Sequence, residues 1–288
     1  MGGTSNTTLS SHYADLHIHS TFSDGTLTPC EIVSICEGVQ LRVISVADHD
    51  TVDGVAEAIN CAQGRIEVIP AIEMSSNIGS FDIHILGYFV DIHNDELLTY
   101  CEDFRTHRLK RVKRIINRLS KDGIKLEFEQ IKIAASSCSL GRPHIAEVLV
   151  ENGHARSIND AFNKYLGFKA PYYEPKRAVK PQAVIRKIIR SNGIPVVAHP
   201  GTINDEQIIY QLIMDGCQGI EVWHPDHTRR CRQKLIEIAM KNGLLMTGGS
   251  DCHGRRGKNN YQIGMTGCMK EHVLELRHCC ENKAVSDT

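Results

Sequence analysis

Seven short, almost continuously apolar runs punctuate the chain: Tyr13–His17, Arg42–Ala47, Ile66–Ile72, Phe81–Val90, Ile194–Ala198, Gly219–Trp223 and Leu244–Gly248. Each is bounded by a polar cluster and is too short to be a helix in the core, so each predicts a buried strand. Between most of them the apolar positions recur every three or four residues. Thr28, Pro29 and Glu31 form an N-cap, N1 and N3 set that starts a helix running to about Gln40. Val52, Val55, Ala56 and Ile59 predict a helix over Thr51–Cys61, and Arg229–Asn242 carries another. Apolar strands alternating with helices predict a parallel α/β sheet or barrel. Asn94 to Tyr173 breaks the rhythm and reads as mostly helical. The predicted organisation is one α/β unit over residues 13–93 and 174–275, a helical insert over 94–173, and flexible tails at 1–12 and 276–288. The length of 288 residues suits one large or two small domains.

The charges nearly cancel, with 33 Lys plus Arg against 34 Asp plus Glu. That excludes a globally basic nucleic-acid coat and an acidic disordered tail. No run approaches 18 apolar residues, so no membrane-spanning helix is expected. The opening MGGTSNTTLS lacks the basic and apolar blocks of a secretory leader, and Asn6 fails the myristoylation pattern at Gly2. The 11 cysteines are irregularly spaced with no C-x-x-C, and most read as small buried hydrophobes in a reducing compartment, with Cys279–Cys280 near the tail the readiest to oxidise, so the expected location is cytoplasmic. One Trp and 6% aromatics offer no stacking platform, and no readout of double-stranded nucleic acid is expected. The unusual count is histidine, 15 of them.

Nearly every predicted strand ends in a metal-ligand type of residue. His17 and His19 share a face of an extended strand, Asp24 follows in a turn, and His49 lies in Asp48-His49-Asp50. Glu73 closes the third run, His84 lies in the fourth, His199 closes the fifth, and Asp251 and His253 follow the last. Sites in parallel α/β architectures sit at the carboxyl ends of strands. One such histidine is ordinarily a satisfied core residue. Polar groups at so many strand ends without a common partner would each cost about 1–3 kcal/mol of desolvation. A shared metal site explains them together. Six imidazoles and three carboxylates suit Mn2+, with Fe2+ or Zn2+ as alternatives, better than the all-oxygen shells of Mg2+ and Ca2+.

The pieces DLHIHSTFSDGTLTP, ADHDTVDG, PAIEMS, DIHILGY, VVAHPG and GSDCHG stand in order between Asp15 and Gly254. In them the sequence resembles the PHP (polymerase and histidinol phosphatase) superfamily of metal-dependent phosphoesterases. The resemblance implies a distorted (βα)7 barrel with three divalent metal ions. It implies that His17, His19, Glu73 and Asp251 hold one ion, that Glu73 bridges to a second held by His84 and His199, and that Asp24, His49 and His253 hold the third. None of the nine positions departs in residue type. The insert and its GRPHIAEVL segment resemble the nucleotide-directed branch of the family, which takes a phosphate from nucleoside 3′,5′-bisphosphates or trims short RNA from its 5′ end. The resemblance carries Arg142 and His144 over as substrate phosphate contacts.

The charges that remain fit a small phosphorylated substrate. Three divalent ions would leave the cluster at about +3, which attracts an anion, and the expected reaction is hydrolysis by metal-bound hydroxide without a covalent enzyme intermediate. From Phe104 to Lys121 the insert carries eight basic residues and no acidic one, with Val112, Ile115, Ile116 and Leu119 at helical spacing. Most of that face is expected to be solvated, with Arg105 and Arg108 as candidate substrate contacts. Arg142 has the fork suited to phosphate. His144 is either a general acid for the leaving oxygen or a phosphate hydrogen-bond donor. Asp15 and Asp48 are expected to orient neighbouring imidazoles, and Glu221 and His224 to support the metals from behind. His227, His272 and His278 read as surface residues, and Cys252 is expected to point away from the ligands. Two other readings compete: a small-metabolite phosphatase such as a histidinol phosphatase, and a non-catalytic metal-binding module.

Overall fold

Two sheets carry the fold. In the first, β1 (Ala14–Ile18), β2 (Val43–Val46) and β3 (Glu67–Val68) lie parallel in that order. In the second, the order is β4 (Ala71–Ile78), β5 (Phe81–Tyr88), β6 (Ile194–Val197), β7 (Gly219–Trp223) and β8 (Leu245–Gly248). Strands β6, β7 and β8 are parallel, whereas β4–β5 and β5–β6 are antiparallel. This computed structural model describes residues 12–79, 81–135, 140–203, 205–254 and 261–286. Residues 1–11 of the expected leading tail lie outside them.

The architecture is mixed α/β, and two local features depart from an all-parallel expectation. The run expected over Ile66–Ile72 is cut at Pro70, which has no amide hydrogen for a ladder. The chain leaves the first sheet after Val68 and enters the second at Ala71. Only two residues separate Ile78 from Phe81, beginning with Gly79 at φ +57°, and so short a link joins antiparallel strands only. Among the described residues the ladders do not close into a barrel. The sheets meet through isolated bridges, Ile18–Cys252 and His49–Glu73 parallel and Ala14–Cys268 antiparallel. They share an interior of Leu16, Val43, Leu86, Tyr88, Ile194 and Val196, across which Tyr88 Oη donates to the Leu16 carbonyl at 3.0 Å.

The first helix, α1 (Pro29–Gly38), starts as the sequence predicts: Thr28 caps Glu31 N–H and the Glu31 side chain returns to Thr28 N–H. With α2 (Asp53–Ala62) it covers β1 and β2 through Ile32, Val33, Cys36 and Ala58. Cys30 and Cys61 join these helices as a disulfide with Cα atoms 5.3 Å apart, so this pair is not the buried hydrophobe expected of cysteine here. Cys36, Cys101, Cys217, Cys252 and Cys268 are buried thiols.

Between β5 and β6 the described elements are helical: α3 (Asp95–Lys121), α4 (Phe128–Ala135), α5 (Arg142–Glu151), α6 (Ile158–Ala161) with a π turn over Phe162–Leu166, and α7 (Pro181–Arg190). Helix α3 belongs to two cores. Leu97, Tyr100 and Phe104 pack with β4, β5 and α7, while Val112, Ile115 and Leu119 pack with Ile145, Val148 and Leu149. The remaining helices are α8 (Glu206–Met214), α9 (Arg229–Asn242) and α10 (Lys270–Ser286). Helix α10 runs through the stretch expected as a tail, because Val273 and Leu276 are buried in the interior between the sheets. Among the described residues no helix is long and apolar enough to cross a membrane.

A close backbone approach lies beside the strand ends. A Cβ on Gly249 would stand 2.4 Å from both the nitrogen and the Cβ of His17. Gly249→Ala must therefore push β1 from the end of β8, a strain of about 1–3 kcal/mol. The expected outcome is a lower Tm in a thermal melt, by about 2–4 °C per kcal/mol; an unchanged Tm would refute this packing.

Candidate metal centre

Glu73 is the hub. It sits on β4 where the two sheets touch: its N–H donates to the Asp48 carbonyl at 3.1 Å and its carbonyl accepts from Asp50 N–H at 2.8 Å. Its side chain is fully buried. Oε1 lies 2.9 Å from His84 Nδ1 and 2.9 Å from His199 Nε2. Oε2 lies 2.7 Å from His49 Nδ1, 3.3 Å from His19 Nε2 and 3.4 Å from His17 Nε2. Asp251 Oδ1 completes one side, 3.1 Å from His19 Nε2 and 3.5 Å from His17 Nε2. On the other side His253 Nε2 is 3.2 Å from Asp24 Oδ1, and His49 Nε2 is 3.9 Å from Asp24 Oδ2. All nine residues singled out in the sequence converge on this one region. Their grouping differs in detail from the expected one: His19 falls with Asp24, His49 and His253, and His49 also falls with Glu73 and His84.

The donor set fits divalent ions. Ligand atoms about 2.1 Å from one ion stand about 3.0–3.4 Å apart along the edges of an octahedron or tetrahedron, and most of these separations lie near that range. Glu73 Oε2, Asp24 Oδ1 and His49 Nδ1 are buried without a hydrogen-bond partner among the described residues. Such atoms are costly unless something else satisfies them. Glu73 Oε1 has hydrogen-bond geometry to His84 and His199, but the nitrogens of His49, His19 and His17 crowd Oε2 at 2.7–3.4 Å without it, an arrangement that suits a shared cation. Backbone strain marks the same place: Asp50, His199 and Asp251 have φ of +55°, +29° and +50°. For residues other than glycine that costs about 1–3 kcal/mol each and persists only where the surroundings impose it.

The neighbours correct several sequence expectations. Among the described residues neither Asp15 nor Asp48 hydrogen-bonds an imidazole directly, and Asp48 reaches the His19 ring only through Ser23 Oγ. Asp15 accepts from the amides of Ser250 and Gly264 at 2.9 Å each, tying β1 to the segment after β8. Asp48 accepts from Ser20 N–H at 2.7 Å and Ser20 Oγ at 2.6 Å, folding the loop that leads to Asp24. A short polar residue at a strand end binds loop amides first, because those amides lose their own partners there. His227 is buried rather than on the surface: its Nδ1 donates to the Val222 carbonyl at 2.8 Å. Cys252 packs away from the ligands among Ile18, Ile32 and Ile44, and burial pushes its thiol up to about 11. Lys176 carried no sequence signal. It reaches His84 Nε2 at 3.2 Å and Asp82 at 2.7 Å.

Beside the cluster opens a cavity lined by Asp50, Ser75, His107, Arg108, Arg111 and Lys176, together with Arg114 and Arg177. Arg108 donates to Asp50 Oδ2 at 2.6 Å. Arg105 is exposed, pairs with Glu102 and does not line the cavity. The Arg142 guanidinium stacks on Tyr173 and Phe162, 5.3 and 5.7 Å from their ring centres, and donates to the Leu166 carbonyl at 3.0 Å. His144 is buried at the start of α5, where its Nδ1 accepts from Gly141 N–H at 3.1 Å.

Charge balance in the metal-free protein sets a pH dependence. Burial alone would lower His84 and His253. Glu73 outweighs it for His84 and raises it to about 9, and Asp24 and Asp251 raise His253 to about 10. Both rings therefore carry protons at neutral pH, whereas a ligating imidazole must be neutral. Metal loading at pH 7 is expected to release protons. Affinity should rise with pH through the neutral range and flatten only at about pH 10, as both rings become neutral beforehand. Calorimetric titration in buffers of different ionisation enthalpy measures both; a pH-independent affinity with no proton release would contradict the ligand assignment.

No family model matches the chain. Among curated proteins it is 30% identical over 259 residues to the 3′,5′-nucleoside bisphosphate phosphatase of Chromobacterium violaceum, covering 88% of this chain and 90% of that protein. It is 33% identical over 246 residues to the 5′-3′ exoribonuclease of Haemophilus influenzae, covering 83% and 89%. Among solved structures it superposes with a TM-score of 0.84 on a Bifidobacterium adolescentis protein assigned as a metal-dependent phosphoesterase, at 30% identity over 92% of this chain and 96% of the other. A Chromobacterium violaceum amidohydrolase structure with bound sulfate follows at 0.80 and 28% identity, with the same coverage. The buried histidine–carboxylate cluster and these likenesses agree: the chain belongs to the PHP family of metal-dependent phosphoesterases and is a hydrolase of phosphoesters.

Proposed function

We propose that the protein hydrolyses phosphoesters of small nucleotides, removing the 3′-phosphate of nucleoside 3′,5′-bisphosphates, trimming short RNA from its 5′ end, or both. The observation that carries this reading is the arginine-lined cavity against the histidine cluster. One phosphoryl group at the cluster leaves a second phosphate, one nucleotide unit away, facing Arg108 and Arg111, with Arg142 outside the cavity lining but near enough to Arg111 to add its charge. These guanidiniums crowd one another. Burial, then Arg142 and Arg108, push Arg111 down to about 10, and its Nη2 is buried with no hydrogen-bond partner among the described residues. Uncompensated positive charge of this kind is stabilised by a bound anion. A phosphatase of small monophosphates has no use for it.

The nine residues His17, His19, Asp24, His49, Glu73, His84, His199, Asp251 and His253 would hold three ions, of which Mn2+ suits the ligand set best. When bound, such ions lower the pKa of coordinated water and neutralise charge on the phosphoryl oxygens. The protein's own groups do the rest. Asp50 aims Arg108 into the cavity. The GRPH segment abuts the same arginine, since a Cβ on Gly141 would lie 3.9 Å from Arg108 Nη1. Because His144 Nδ1 accepts the Gly141 amide, the neutral ring carries its proton on Nε2, the form that can donate to a phosphate or protonate a leaving oxygen. Residues 94–173 act as an insert that supplies this second-phosphate wall, and the two linked sheets play the part of the family's distorted barrel.

The test is a panel with added Mn2+: nucleoside 3′,5′-bisphosphates, 5′-monophosphorylated short RNA, histidinol phosphate and an aryl phosphate. Turnover confined to the first two is expected; preference for histidinol phosphate would overturn the proposal. Arg142→Ala is expected to lower kcat/KM for the bisphosphate by about 1–3 kcal/mol of transition-state free energy while sparing the aryl phosphate. His84→Ala is expected to abolish turnover of every substrate without loss of the fold by circular dichroism.

A further inference from the structure

Strand β7 supplies none of the nine residues assigned above, yet its carboxyl end touches three of them. Glu221 is fully buried, and its two oxygens serve two different elements. Oε1 accepts from His17 Nδ1 at 3.0 Å, and Oε2 accepts from the His199 amide at 2.7 Å. The first contact keeps the His17 proton on Nδ1 and leaves Nε2 as the lone pair facing Glu73, His19 and Asp251. The second anchors the residue with φ of +29°, whose backbone has no reason of its own to adopt that conformation. His224 and His227 extend the same pattern. His224 Nδ1 accepts from Asp226 N–H at 3.1 Å, so its Nε2–H donates to Asp251 Oδ2 at 3.3 Å. His227 Nε2 accepts from Gly201 N–H at 3.0 Å, fixing the turn just after His199.

We propose that Glu221 is the positioning residue of the metal centre, setting the His17 tautomer and the His199 backbone together, with His224 and His227 completing the bracket from the turn that follows the same strand. The proposal rests on the metal-centre reading but not on any choice of substrate. A carboxylate is required at this position. It accepts from both donors at once, whereas an amide of the same shape has one acceptor oxygen and turns an N–H2 toward the other donor. Side chains behind metal-ligating histidines set ligand basicity and orientation, and their loss weakens metal affinity about 10–100-fold.

The test uses the full metal-free chain. Mn2+ titration by calorimetry compares wild type with Glu221→Gln, and thermal melts without metal compare their folds. The expected result is a dissociation constant for the tightest site raised about 10–100-fold in a variant that retains the wild-type circular dichroism spectrum. Affinity within twofold of wild type in that folded variant overturns the proposal. A second measurement needs no variant: in the Zn2+-loaded wild type, imidazole 15N–1H spectra should show His17 protonated at Nδ1 with slow exchange. A His17 proton on Nε2 also overturns it. Failure of the wild type to take up Mn2+ or Zn2+ would instead strike the metal-centre reading beneath it.

Discussion

A single buried carboxylate organises this molecule. Glu73 joins the two sheets through its backbone and draws five imidazoles to its side chain, from His17 and His19 on one sheet edge to His84 and His199 on the other, with His49 between. Among the described residues the ladders do not close, and this seam is one of the few places where the two sheets meet through a bridge. A charge placed there is unfavourable alone and favourable only when surrounded by cations. Burial would raise Glu73, but His49, His84 and His17 hold it well below the usual carboxylate range. The candidate metal site and the junction of the sheets are thus one place in the fold.

The candidate ligands were legible because their chemistry is written locally. His17 and His19 alternate on one strand, Asp251 and His253 repeat that spacing, and each set follows an apolar run. The capping set at Thr28 and the helix over Arg229–Asn242 were equally local and appear as read. What stayed hidden depends on partners far apart in the chain. Glu221 reads as support for the metals, but that its partner is a ring 204 positions away shows only in the fold, and His227 looks like a surface residue until β6 is laid beside β7. The antiparallel hairpin was missed because Ser75, Ser76 and Asn77 interrupt the apolar pattern of β4, although Ser75 is buried against Asp50. Lys176 is an ordinary lysine in sequence and becomes notable only because the chain leaving the helical segment passes His84.

The basic helix illustrates how one sequence feature divides in three dimensions. Arg105 faces solvent with Glu102, Arg114 and Arg118 pair with Glu174, and Arg108 and Arg111 turn inward. The charge run alone could not separate these roles, since the division follows from which face packs. Arg111 is more than nine-tenths buried because Val112 and Ile115 beside it enter the core. A guanidinium carried in on such neighbours is held rigidly, which favours directional recognition over general attraction.

Helix α3 runs without a break for 27 residues, a rod of about 40 Å. Its first half is cemented into the sheets and its second into the core around Ile145 and Val148. Inserting or deleting one residue between Phe104 and Val112 would rotate one half by about 100° against the other and carry Arg108 or Arg111 out of the cavity. The length of this stretch is therefore under tighter constraint than its composition. Over evolutionary time the surface of the helix can drift while its register cannot, so diversification by point substitution remains open and diversification by insertion or deletion here does not.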